Sequence, residues 1–311
     1  MESTMSRNHI IKGSYSLLIL MTFLIVQACS DTDEIILPEI DPVELQPYAK
    51  IDFPVVNEAS GLVKSRLWED VFWTHNDSGD EARIFPIKKD GTILKPEWMS
   101  DYKGIQIPDA VNVDWECIAT DGKGHLYIGD IGNNSNTRRD LMIYIIEEPF
   151  PTQTVVTSTK NRISYYYPDQ KEIPAKKFNF DAEAMFWKDG KIYVLTKHRA
   201  DTYTKLYRLD ALRTEEKKPA RLIARFNIRG QVSGADVSSD GRKLVVLTYT
   251  AVWLFETRRK SDNYFKGKIS WFPFKAEHCE AVCFDGDEFV LVNERGELFQ
   301  LKEEDLIPVK K

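Results

Sequence analysis

Short apolar runs rich in β-branched and aromatic residues, separated by Asp-Gly and other turn residues, recur along the chain from about residue 47 onward. The fullest copy begins at Phe180. Asp181–Phe186 reads as a strand with carboxylates in it, Lys191–Thr196 as a second strand and Leu206–Leu209 as a third. Between the first two, Asp189-Gly190 suits a tight two-residue hairpin, where positive φ is cheap for these residues. A sheet this small has no partner for either face. The chain answers by repeating it.

Four further copies follow the same order of inner strand, turn, second strand and third strand. The inner strands start at Ser60-Gly61-Leu62-Val63, Glu116-Cys117-Ile118-Ala119, Ser233-Gly234-Ala235-Asp236 and Glu280-Ala281-Val282-Cys283. With Glu183 in the index copy, the anchors recur at intervals of roughly 50 to 65 residues, a period that belongs to propeller blades rather than solenoid coils. The expected fold is all-β, a five-bladed β-propeller over residues 47–307. Tyr48–Val55 has no partners in its own unit and is expected to close the ring on the blade containing Glu280. Outer strands are expected at Thr92–Trp98, Arg162–Tyr167, Arg221–Ile228 and Lys268–Phe274. No long helix is readable; Asp210–Glu216 is at most one or two turns.

Composition narrows the setting. The 311 residues carry a formal charge of −6, and removing the first 28, which hold Arg7, Lys12 and Glu2, makes it one unit more negative. No basic face is available for nucleic acid. Arg7 and Lys12 precede an apolar run, Leu17–Val26, too short to span a bilayer comfortably. The run ends Val26-Gln27-Ala28-Cys29, which resembles the lipobox of bacterial lipoproteins; the implied processing removes residues 1–28 and acylates Cys29. Residues 29–46, acidic and rich in Pro and Ile, read as a tether. The expected location is therefore the outer membrane, on its periplasmic or surface side, with the membrane held through lipid on Cys29. The other three cysteines, Cys117, Cys279 and Cys283, have no metal or disulfide spacing and read as small buried apolar residues.

The anchors bring in chemistry. Ser60, Glu116, Glu183, Ser233 and Glu280 occupy one register of otherwise apolar inner strands, each followed by a small residue. Inner strands line a propeller's axis, so these side chains should converge. Carboxylates forced together repel unless a cation intervenes, and Ca²⁺ accepts six to eight oxygens. A calcium ion held by these five residues is the expected metal site. Two residues earlier lies a second ring, Glu58, Asp114, Asp181, Gln231 and His278, expected to line the channel mouth.

One oxygen ligand per blade around a central calcium resembles the calcium-activated nucleotidase (apyrase) propellers and the SdiA-regulated propeller family. Glu58-Ala59-Ser60-Gly61-Leu62 resembles the opening of the SdiA-regulated and phytase-esterase-like propellers, and His125–Gly132 resembles an apyrase segment. The apyrase continuation Lys-Glu-Trp-Thr is replaced here by Asn133-Asn134-Ser135-Asn136, which favours binding over hydrolysis.

The residues following each second strand should open on one face. His75, Asn76 and Asp77; Asp130 and Asn133; Lys197 and His198; Tyr249; and Glu294 and Arg295 together form a candidate pocket for a small polar or anionic ligand. No nucleophile–base pair is readable from spacing. The expected function is a membrane-anchored, calcium-centred propeller binding a small ligand or an envelope protein. The alternatives are a calcium-dependent phosphoester or nucleotide hydrolase and a scaffold subunit of an envelope complex.

Overall fold

The computed structural model describes residues 35–210, 216–258 and 260–310. Five sheets follow one another along the chain. Their inner, second, third and outer strands are Ala59–Lys64, Phe72–Asn76, Arg83–Ile87 and Ile105–Gln106 in the first blade; Trp115–Thr120, His125–Asp130, Met142–Glu147 and Thr159–Tyr166 in the second; and Asp181–Lys188, Lys191–Lys197, Tyr203–Leu209 and Arg221–Asn227 in the third. The fourth runs Val232–Val237, Lys243–Thr248, Ala251–Glu256 and Lys268–Lys275. The fifth has Cys279–Asp285, Glu288–Asn293 and Glu297–Lys302, and Ala49–Lys50 supplies its outer strand. Pairing within every blade is antiparallel through these four strands.

The inner strands pack in a closed cycle, first on second through to fifth on first. Five apolar layers fill the gaps between neighbouring blades. Trp73, Ile84, Trp115 and Tyr144 lie between the first two; Ile143, Tyr165, Met185 and Tyr207 between the next pair. Phe186, Tyr193, Trp253 and Phe255 fill the third gap. Leu254, Phe274, Phe289 and Leu291 fill the fourth, and Phe72, Phe85, Val290 and Leu298 the fifth. Alternation still operates inside each blade: Ile192 and Val194 point into one layer, Tyr193 and Leu195 into the next. Because both faces of a blade are covered, the strands read as nearly continuous apolar runs.

The N-terminal segment closes the ring as expected, Ala49 opposite Leu298 and Lys50 opposite Glu297, though over two residues rather than eight. The first blade departs from expectation. Its outer strand is Ile105–Gln106, and Thr92–Trp98 contributes a single bridge, Ile93 to Ile87. Pro96 has no N–H for a ladder, and Trp98 is left 68% exposed. Asp189 and Gly190 form the expected hairpin turn with φ of 47° and 78°. Residues 35–46, read from sequence as tether, run along the body: Ile35 is buried, and Val43–Glu44 pairs in parallel with Phe274–Lys275. The signal sequence, Cys29 and most of Asp210–Glu216 lie outside the described residues. Cys117, Cys279 and Cys283 are free and buried.

Candidate functional site at the axial mouth

All five anchor residues occupy the same structural position. In each blade the ladder between inner and second strand slips by one residue, between Ala59 and Gly61, Trp115 and Cys117, Ala182 and Ala184, Val232 and Gly234, and Cys279 and Ala281. The residue skipped is Ser60, Glu116, Glu183, Ser233 or Glu280. A bulge leaves its extra residue unpaired, bends the strand and re-aims the side chain. Here it sends five polar groups toward neighbouring inner strands, where they are between 1% and 8% exposed. The small residues that follow are required by close approach. A Cβ at Gly61 would lie 2.3 Å from His75 Nε2, and one at Gly234 would lie 3.0 Å from Ala281 Cα.

These groups do not form one symmetric shell; two sets of contacts share the mouth, joined by a hydrogen bond between the Glu116 and Glu183 side chains. On the side of the third to fifth blades, Lys197 Nζ donates to Glu183 Oε1 at 2.9 Å and to the Tyr249 hydroxyl at 2.8 Å. Tyr249 in turn donates to Glu280 Oε1 at 3.1 Å. Ser233 Oγ donates to the Cys279 carbonyl at 2.8 Å and is thereby occupied. On the side of the first two blades, Asp77, Asp114 and Glu116 bring carboxylate oxygens within 4.8 Å of one another. Ser60 Oγ adjoins them, 3.4 Å from Glu116 Oε2. Gly132 backs this group: a Cβ there would fall 2.3 Å from both Asp114 Oδ2 and Glu116 Oε1.

The electrostatics follow these contacts. Burial, then the charges of Asp77 and Asp181, pushes Asp114 up to about 7. Burial, then Glu183 and Asp77, raises Glu116 well above the carboxylate range. Burial and Glu183 raise Glu280 to about 8. Lys197 moves the other way from a buried amine: burial opposes its charge, but Glu183 and Tyr249 outweigh that and raise it. Acidic groups thus outnumber the cation built into the mouth.

The candidate ligand-pocket residues separate into two kinds. His75, Asn76, Asp130, Asn133 and His198 are buried and tied into the loops. Asn76 accepts the Asn57 and Glu58 amides and donates to Val55 O and Asp80. Asp130 takes the Asp114 amide and Arg138, and Asn133 takes the Arg138 amide while its own amide meets Asp181. His198 Nδ1 meets Asp201 at 2.6 Å, and burial lowers His75 to about 4. The second kind faces the mouth: Asp77, Lys197 and Tyr249 as above, with Glu294 and His278 near Glu280 and Arg295 paired outward with Glu277. From the second ring expected at the channel mouth, Asp114 joins Asp77 and Glu116, while Asp181 is fully buried under Arg199 and the Asn133 amide.

No protein-family model matches the chain, and no curated protein matches it. Among solved structures it is similar to U3-55K, at 10% identity and a TM-score of 0.39 over 87% of this chain and 69% of that one. It is also similar to the RRP9 WD40 repeats, at 12% identity and 0.39 over 86% and 69%. A computationally designed protein, Ika8, follows at 9% and 0.32 over 78% and 70%. Those likenesses assign no activity.

A second concavity lies elsewhere. A groove of about 1030 Å³ opens beside the second and third blades, lined in part by Lys123, His125, Tyr127, Lys160, Arg162 and Trp187. Three of its basic groups have acidic partners, His125 with Asp121, Lys160 with Glu147 and Arg162 with Asp109, and Lys123 lies over the Trp187 ring. The axial mouth is where unbalanced charge collects.

Sequence reasoning found the anchors and named Lys197 and Tyr249, but missed that these two bond to each other and to Glu183 and Glu280. Gly132 was missed as well; its place beside Gly129 and Asp130 in a turn-like run was the available signal.

Proposed function

We propose that the axial mouth binds a calcium ion through Asp77, Asp114 and Glu116, and that the surrounding loops use this centre to hold a small polar or anionic ligand or a protein partner. The observation that carries the reading is the spread of these oxygens, within 4.8 Å. Oxygens on opposite sides of Ca²⁺, at about 2.3–2.6 Å each, lie roughly that far apart. The donors are hard oxygens, and the missing side chain at Gly132 leaves two of the carboxylates room. Ser60 and Glu183 flank the set; Ser233 and Glu280 are engaged by Cys279 and Tyr249. Bound calcium would supply positive charge and an open coordination position; the residues would orient what approaches it.

Thermal unfolding tests this. Wild type should melt higher with Ca²⁺ than with EDTA, and Glu116→Gln should lose most of that rise. An EDTA-insensitive melting temperature in wild type sinks the proposal.

The sequence Val26-Gln27-Ala28-Cys29 supports placing the mature protein at a bacterial envelope, anchored by acyl chains on Cys29. Labelled palmitate should enter the wild-type chain in a bacterial host and not Cys29→Ser. Equal labelling of both removes the anchor.

A further inference from the structure

We infer that Lys197 is the protein's own cation for half of the mouth, confining a divalent ion to the Asp77–Asp114–Glu116 side and weakening its binding there. The inference rests on the calcium reading and concerns how that site is regulated from within.

The ladder registers carry the argument. The last pair before each bulge is made by Asn76, Asp130, Thr196, Thr248 or Asn293, and the residue that follows it is Asp77, Ile131, Lys197, Tyr249 or Glu294. Asp77, Tyr249 and Glu294 also reach the mouth, as acids or a phenol, while Ile131 is buried in an apolar layer. Only the third blade places a base at this position. Its ammonium leaves its own loop and enters the mouth, with side-chain exposures of 6% for Lys197 and 5% for Glu183. The Tyr249 ring lies 5.0 Å from Nζ, so phenol oxygen and π-face both support the charge.

Through Tyr249 the same ammonium is linked to Glu280, so one fixed charge serves carboxylates from two blades. Its field reaches the other half as well, since Lys197 is among the charges acting on Asp77. A divalent ion beside Glu116 therefore meets a fixed positive charge across the mouth. Separated by several ångströms in partly buried surroundings, the two repel enough to weaken binding by roughly tenfold or more. A metal that recruited Glu183 would have to take that carboxylate from a resident partner.

Calorimetric titration of the full-length protein with Ca²⁺ tests this, with melting temperatures in EDTA as a second readout. Lys197→Met should bind Ca²⁺ about tenfold tighter or more and melt lower than wild type in EDTA, with Ca²⁺ recovering most of the loss. Lys197→Arg keeps the charge and should stay within about threefold of wild type. Lys197→Gln, which can still bridge Glu183 and Tyr249, should change affinity in the same direction as Lys197→Met and serves if that variant does not fold.

Wild type that binds Ca²⁺ while both neutral variants bind equally or more weakly overturns the inference and leaves the calcium site standing. Wild type that takes no Ca²⁺ while the neutral variants do removes the resident metal and supports Lys197 as the cation of the mouth. Failure of all variants to bind overturns both.

Discussion

Asp114, Glu116 and Glu280 are carboxylates held above their ordinary range first by burial and then by neighbouring carboxylates, Asp77 and Asp181 for Asp114 and Glu183 for the other two. Their folded-state values exceed those in the unfolded chain, so their contribution is fully present below the unfolded values near 4 and is lost as pH rises through 7 and 8. His75 and His198 act in the opposite sense, but unfolded histidine titrates near 6.5 and is silent above pH 7. Asp201 and Asp285, lowered, are already ionised there. Between pH 7 and 9 the raised carboxylates decide the sign. The melting temperature in EDTA should fall across that window, and saturating Ca²⁺, which prefers the ionised groups, should flatten the slope. A flat profile in EDTA removes the electrostatic account of the mouth.

At the scale of elements, the bulge does what residue type alone cannot. An uninterrupted ladder would set Glu183 directly opposite a residue of the Lys191–Lys197 strand; the slip between Ala182 and Ala184 frees it. The N-terminal segment has an equally specific role. Ile35 is 4% exposed in the layer between the third and fourth blades, and Val43–Glu44 extends the fourth sheet. It thereby covers part of an edge that would otherwise offer unpaired backbone groups. Ile35→Ala should lower stability by about 2 kcal/mol or more, the scale of a buried Ile→Ala change, measured by urea unfolding. A chain starting at residue 47 should be weaker still. Unchanged midpoints in both would make residues 35–46 a mere tether after all.

At the scale of the whole molecule, every blade buries both faces, and no blade has a core of its own. The five layers are shared, so the ring must close for the last layer to form, and Ala49–Lys50 does this by pairing with the fifth blade. Packing of consecutive blades brings together Asp77 from the first blade and Asp114 and Glu116 from the second. The mouth is acidic because five chain segments arrive there with few cations among them. Any partner must answer that charge, either by carrying positive groups or by meeting a bound metal that has neutralised it.

The sequence by itself determined the five-fold repeat, the all-β ring, the closing strand and the anchor register. Those features rest on local pattern: strand period, turn residues, and Ser or Glu followed by a small residue. It also marked three buried cysteines correctly. It did not determine how the anchors pair. Ser233 and Ser60 look equivalent along the chain and each meets a carbonyl of the next blade, yet only Ser60 also adjoins a carboxylate, that of Glu116. Lys197 reads as a loop base, yet it neutralises Glu183. Ile35 reads as tether, yet it fills a core layer. Ser233 and Ile35 find their partners in another blade, and Lys197, beside Glu183 in its own blade, also reaches Tyr249 in the next. Such contacts depend on ring closure and bulge geometry, which leave no periodic trace in the residues themselves.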